Sequence, residues 1–198
     1  MLKKIFFSLF LLNLFLVPDT SDSLVTKVRN RINDIKPFKV QFINRVVNNS
    51  EIEIEEKGEM LFLNKDRIKW IYKDPNYKVW IVYGNSYEYY DREEEQITKG
   101  KLSKKTQIWI FKLLDTKYEK NDIKVNNKKN EIYLVNDEEG INFKILISDD
   151  FLPSKIIQKD PTGVDIVYIF SGYKKNITLS DKDFILKIDG EVDIIDLK

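Results

Sequence analysis

Histidine and cysteine are both missing from the 198 residues of this chain, so any chemistry must come from carboxylates, lysines, tyrosines or apolar surface. Without histidine there is no ordinary general base near neutral pH, no Ser-His-Asp arrangement and no commonest zinc ligand. Without cysteine there is no thiolate nucleophile, no disulfide framework and no thiol to lipidate. Paired carboxylates could still act as acid and base in glycoside hydrolysis. The acidic residues, however, fall in loops and at outward strand positions such as Glu51, Glu53 and Glu55, and Asp181-Lys182-Asp183 lacks calcium-loop spacing. No catalytic, cofactor or metal constellation is expected, and the chain does not read as an enzyme.

Aromatic residues are the other candidates. Trp70, Tyr72, Tyr77, Trp80, Tyr83, Tyr87, Tyr89 and Tyr90 crowd three adjacent predicted strands. They can be ordinary sheet core with cross-strand aromatic pairs. Alternatively they line an apolar groove for a hydrophobic ligand, since both faces of 79–83 carry large side chains and few helices are available to bury them.

The elements that position them follow from periodicity. Leu24, Val25, Val28, Ile32 and Ile35 recur at helical spacing, with Ser21 or Ser23 as cap and Lys36-Pro37 as stop. From Val40 onward the period is two. Hairpins are predicted around Asn48-Asn49-Ser50, Asn64-Lys65-Asp66 and Gly84-Asn85, then a solvated loop at Arg92–Glu95. The dense apolar block around 103–118 reads as one or two short helices, although 108–111 fits a strand too. Alternation resumes after Asn121 and runs to a last predicted strand at 183–188. About ten strands against one to three helices give a mainly β chain, and an antiparallel sheet of that length is expected to curl or close.

Composition bounds the setting. Lys and Arg number 33 against 32 Asp and Glu, interleaved without a basic stripe, so nucleic acid is not an expected partner. The first residues join Lys3 and Lys4 to a thirteen-residue apolar run, Ile5 to Val17. That run is shorter than the roughly 20 residues of a membrane-spanning helix and suits an export signal. The expected organisation is a signal at 1–20, cut somewhere in 18–23, followed by one domain over 24–198. Membrane contact would be transient rather than integral.

Several pieces, in order, resemble the periplasmic outer-membrane lipoprotein carrier family, LolA. They are Phe38-Lys39-Val40-Gln41-Phe42, Gly58-Glu59-Met60-Leu61-Phe62, Arg67-Ile68-Lys69-Trp70-Ile71-Tyr72 with Asp74-Pro75, Gly84 through Asp91 with Gln96-Ile97-Thr98, and Gly190 through Asp196. The resemblance implies a strongly curved antiparallel sheet of about ten or eleven strands forming an incomplete barrel, with a lid of short helices on its concave side. It also implies a periplasmic carrier without a cofactor, expected as a monomer. Such a carrier takes acylated lipoproteins from an ATP-driven releasing complex in the inner membrane to an acceptor at the outer membrane.

By position, Trp70 matches the family's cavity-facing tryptophan, with Phe38, Phe42, Met60, Phe62, Ile68, Val82, Tyr89 and Ile97 as its expected neighbours around the acyl chains. Val28, Ile32, Ile108, Phe111 and Leu114 are the expected lid residues. Lys65 stands where the family holds lid to sheet with a basic residue, usually followed by proline; here Asp66 follows, and lysine offers a flexible point charge rather than arginine's rigid fork. A periplasmic sensor or regulator, or a glycolipid-binding protein with the same half-barrel, is the alternative.

Overall fold

The computed structural model describes residues 23–102, 109–114, 122–136, 141–160, 162–188 and 190–197. The expected signal at 1–20, the expected lid residue Ile108 and the side chain of Phe111 lie outside the described residues.

Helix α1 covers Leu24–Ile35 and buries Leu24, Val25, Val28, Ile32 and Ile35, the stripe that the spacing predicts. Ser23 Oγ accepts the backbone N–H of Thr26 at 3.2 Å, which satisfies one of the unpaired donors of the first turn. The helix stops where Lys36 turns extended before Pro37, a residue with no N–H to continue the ladder.

Six strands follow: β1 (Phe38–Asn48), β2 (Glu51–Asn64), β3 (Arg67–Asp74), β4 (Lys78–Tyr83), β5 (Ser86–Asp91) and β6 (Gln96–Lys101). After the short helix α2 (Trp109–Leu114) come β7 (Ile123–Asn126), β8 (Glu131–Asn136), β9 (Ile141–Ile147), β10 (Pro153–Lys159) and β11 (Val164–Lys175). A 3-10 turn at Asp181–Phe184 and β12 (Asp193–Asp196) complete the order.

The expectation of a strongly curved sheet forming an incomplete barrel of ten or eleven strands is corrected by this topology. Among the described residues twelve strands form one open sheet in the order β12-β6-β5-β4-β3-β2-β1-β11-β10-β9-β8-β7. A barrel needs its first and last strands to share a ladder at a consistent tilt and stagger. Here the order ends in two four-residue strands, β12 and β7, that do not meet. Nor is the sheet wholly antiparallel, because β12 runs parallel to β6.

The apolar side chains that suggested curling are covered in another way. On one face α1 and α2 join Phe38, Val40, Phe42, Met60, Phe62, Ile68, Trp70, Tyr72 and Val82 in a single buried cluster. On the opposite face Val79, Ile81, Tyr90 and Ile97 pack with Phe184 and with the half-buried Leu179, Leu186, Ile188 and Val192. The predicted strand at 183–188 is therefore a strap. Its alternation is real, but it starts in a 3-10 turn capped by Ser180 and Asp183, and its apolar side chains lie on the sheet instead of extending it. With a cover on each face, the sheet is a middle layer and need not close on itself.

Candidate functional site

Register decides which predicted residues meet. Val40, Met60, Trp70, Trp80 and Tyr89 stand in one cross-strand row, and Phe38, Phe62, Ile68, Val82 and Tyr87 in the next. In the third row Phe42 opposes Gly58, which opposes Tyr72. A Cβ at Gly58 would lie 2.1 Å from the Ile71 carbonyl oxygen and 2.7 Å from the Phe42 ring. Only glycine lets that ring lie across β2 and meet Tyr72 edge to face, 5.0 Å between centroids.

Seven of the expected wall residues, Phe38, Phe42, Met60, Phe62, Ile68, Trp70 and Val82, are buried together beneath Val28 and Ile32 of α1 and Ile110 and Leu113 of α2. Phe38 stacks on Phe62 at 4.9 Å. Leu114 is half-buried against the same cluster. Tyr89 shares the face at its margin, half-buried, with its ring 4.9 Å from Trp80 and its hydroxyl donating to Asp91 at 2.8 Å. Burial and the Asp91 carboxylate both push the Tyr89 hydroxyl above its usual range.

Ile97 does not join them. β5 and β6 pair Tyr90 with Ile97 and Tyr89 with Thr98, so Ile97 points to the strap side and is buried beside Tyr90 and Phe184. A one-residue difference in register exchanges the two faces of a strand.

Lys65 is exposed in the β2–β3 turn and makes no hydrogen bond or ion pair among the described residues. It lines a recess of about 610 Å³ between that turn and α1, with Thr26, Arg29, Asn30, Asn33, Lys36, Phe62, Asn64, Asp66 and Leu114.

Several side chains that the sequence reading did not select matter here. Arg29 is buried, and its Nε donates to the Leu113 carbonyl at 2.6 Å, tying α1 to the end of α2. Its position four residues after Val25 and three before Ile32 sets a charge at the border of the apolar stripe, a signal that was available. Asn44 is also buried. Its Nδ2 donates to Glu56 at 3.1 Å, while its Oδ1 has no hydrogen-bond partner among the described residues. Lys78 donates to the other Glu56 oxygen at 3.1 Å. Burial opposes the charge on Lys78, but the Glu56 carboxylate overcomes it and holds the ammonium pKa above its usual value. Tyr72 and Tyr168 flank this polar end, and burial raises both hydroxyls above their usual range. The helix-covered face is thus apolar at its centre and hydrogen-bonded at one margin, an arrangement suited to binding aliphatic chains by dispersion and exclusion of water.

Among the described residues no group of three or more histidine, cysteine or acidic side chains could hold a metal, and no helix is long and apolar enough to cross a membrane.

Residues 33–187 match the protein family described as outer membrane lipoprotein carrier protein LolA. Two relatives carry the name outer-membrane lipoprotein carrier protein. One, from Helicobacter hepaticus, is 23% identical over 83% of this chain and 86% of its own. The other, from Francisella philomiragia, is 25% identical over 90% of this chain and 89% of its own. In three dimensions the chain resembles an uncharacterized conserved protein of Thermus thermophilus, with a TM-score of 0.56 at 11% identity, over 88% of this chain and 100% of that one.

Proposed function

We propose, from the premise that this chain belongs to the outer membrane lipoprotein carrier protein family LolA, that its helix-covered sheet face is the surface that takes up the acyl chains of lipoproteins. At the family level the protein is a periplasmic lipoprotein carrier and not an enzyme. The observation that carries the finer reading is the shared face of Phe38, Phe42, Met60, Phe62, Ile68, Trp70 and Val82, covered by two helices rather than by another sheet.

A carrier must hold its cargo and also release it. Moving an acyl chain out of water is worth about 0.8 kcal/mol per CH2, so several chains in a preformed empty slot would be held too tightly to hand on. In this structure Val28, Ile32, Ile110 and Leu113 pack on the face themselves. An entering chain displaces these side chains, and one set of apolar contacts is exchanged for another. The net transfer energy is then the small difference between two large terms. Arg29 sets the threshold for opening through its hydrogen bond to Leu113.

Loading from an ATP-driven releasing complex in the inner membrane and delivery to an outer-membrane acceptor complete this reading, with the protein acting as a monomer. Trp80 is half-buried at the margin of the face, so Trp80→Glu puts a charge there without emptying the core. The variant should stay folded and lose co-purifying acylated lipoprotein. Undiminished lipoprotein on a folded Trp80→Glu protein overturns the assignment of this face.

A further inference from the structure

The polar recess beside the helix-covered face is not explained by binding aliphatic chains. We infer that it is a head-group site for an anionic phospholipid, one that reads a phosphodiester.

The recess follows from how α1 is built. Its apolar stripe lies on the sheet, and the neighbouring stripe, Thr26, Arg29, Asn30, Asn33 and Lys36, forms one wall. Thr26, Arg29, Asn30 and Asn33 are related by steps of three and four residues, the spacing of one helix face, and Lys36 is the cap at the helix end. From Arg29 to Lys36 is about 10 Å along the axis at about 1.5 Å per residue. The β2–β3 turn supplies the opposite wall with Lys65, and Phe62 and Leu114 reach the recess from the apolar side.

Its chemistry is that of a site for an acceptor-rich, negatively charged ligand. Three cations, Arg29, Lys36 and Lys65, face one carboxylate, Asp66. Asn33 Oδ1 is taken by Lys36 Nζ at 3.0 Å and Asn64 Oδ1 by the Asp66 N–H at 2.8 Å, which turns the amide groups of both asparagines into the ends available to a ligand, and those ends are donors. Lys65 has no partner among the described residues. A lone carboxylate is too small to engage donors spread over that length of helix, whereas a phosphodiester with a polar substituent offers several acceptor oxygens to lysine and amide donors together. A volume of about 610 Å³ falls in the range of small-molecule sites.

Phe62 belongs to the buried face and Leu114 packs against it. A phospholipid seated here would lay its head in the recess and start its acyl chains onto that face. For the tail the inference rests on the function proposed above; for the head it rests on the recess alone.

Short-chain dihexanoyl phosphatidylglycerol, titrated below its micelle concentration into the purified protein, is the test, with dihexanoyl phosphatidylcholine and inorganic phosphate in parallel. Phosphatidylglycerol should bind about tenfold or more tightly than either, a difference of about 1.4 kcal/mol. Its binding should weaken as salt is raised. Lys36 and Lys65 are both exposed, so Lys36→Glu with Lys65→Glu should fold normally and lose about tenfold or more of that affinity. Equal binding of phosphatidylcholine overturns the reading of charge, and equal binding of phosphate alone overturns an amphiphile site. Unchanged affinity in the double variant overturns the location. The acyl-chain reading is scored apart, by lipoprotein bound to Trp80→Glu: its failure with charge-selective binding intact rejects the carrier face and keeps the recess.

Discussion

The two faces of the sheet are both apolar and both covered, yet they are covered by different physics. The strap at 179–188 is fixed by directional bonds to the strands beneath it. Lys69 Nζ donates to the carbonyls of Asp183 at 2.9 Å and Ile185 at 3.2 Å, Arg67 Nε bonds Asp181 at 3.1 Å, and the Tyr83 hydroxyl donates to the Phe184 carbonyl. The chain then continues into β12, locked in parallel to β6. Helix α1 instead meets the strands through Leu24, Val25, Val28, Ile32 and Ile35, while Arg29 and Arg31 bond carbonyls of α2 and of the turn after β9. Apolar contacts have no preferred direction and can be exchanged for those of a ligand; a ladder or a lysine on two carbonyls cannot. The proposed uptake of acyl chains therefore asks the helix-covered face to open and the strapped face to stay shut.

The largest effect should come from the fixed side. Phe184 is fully buried under the strap, and Phe184→Ala should cost about 3–5 kcal/mol of stability, read by denaturant unfolding, while the folded fraction still takes up lipoprotein. Loss of cargo from correctly folded Phe184→Ala would erase the distinction between the faces. Ile97→Ala sharpens the same point, with a loss of about 2–4 kcal/mol and no change in cargo.

On the exchangeable side, Arg29→Met removes a charge-assisted hydrogen bond to the end of α2. It should cost about 1.5–3 kcal/mol, and faster amide exchange at 110–114 with easier loading should accompany it. The smallest effect concerns Glu59, on the strap side beyond the strap. Burial works against its charge, but hydrogen bonds from Lys73 and Lys39 outweigh it and hold the carboxyl below the ordinary 4.5. A carboxyl lowered on folding stabilises above its unfolded value and loses that contribution as pH falls through the folded one. Wild type should therefore exceed Glu59→Gln by about 0.5 kcal/mol near neutral pH. The gap should close as unfolding is repeated at pH below 4.5.

Much of this was legible in the sequence because it is local. The α1 stripe, a serine cap at 21 or 23, the Gly84-Asn85 turn and the strand pattern from β1 to β6 follow from periods of 3.6 and two and from turn chemistry, except that β2 runs on through Gly58, where a new strand was expected to begin. Phe38, Phe62, Ile68 and Val82 were grouped by the family resemblance, and the register of the tight hairpins puts them in one cross-strand row. Three things were not. The four exposed residues Arg92–Glu95 join β5 to β6, and nothing in their types says whether Ile97 falls opposite Tyr89 or Tyr90. Phe184, Leu186 and Ile188 alternate like a strand, yet a strap lying on apolar surface needs the same alternation. The open sheet was misread for the same reason, because the cover for its second face was counted among its strands.

The central claim, that cargo exchanges with the helical cover and not with the strap, is tested most directly by photo-crosslinking. One photoreactive residue replaces Trp80 on the helix-covered face and, in a second protein, Ile71 under the strap; both positions are half-buried. The account predicts adducts with acylated lipoprotein from position 80 and none from position 71. Adducts from 71 alone, or equally from both, would contradict it.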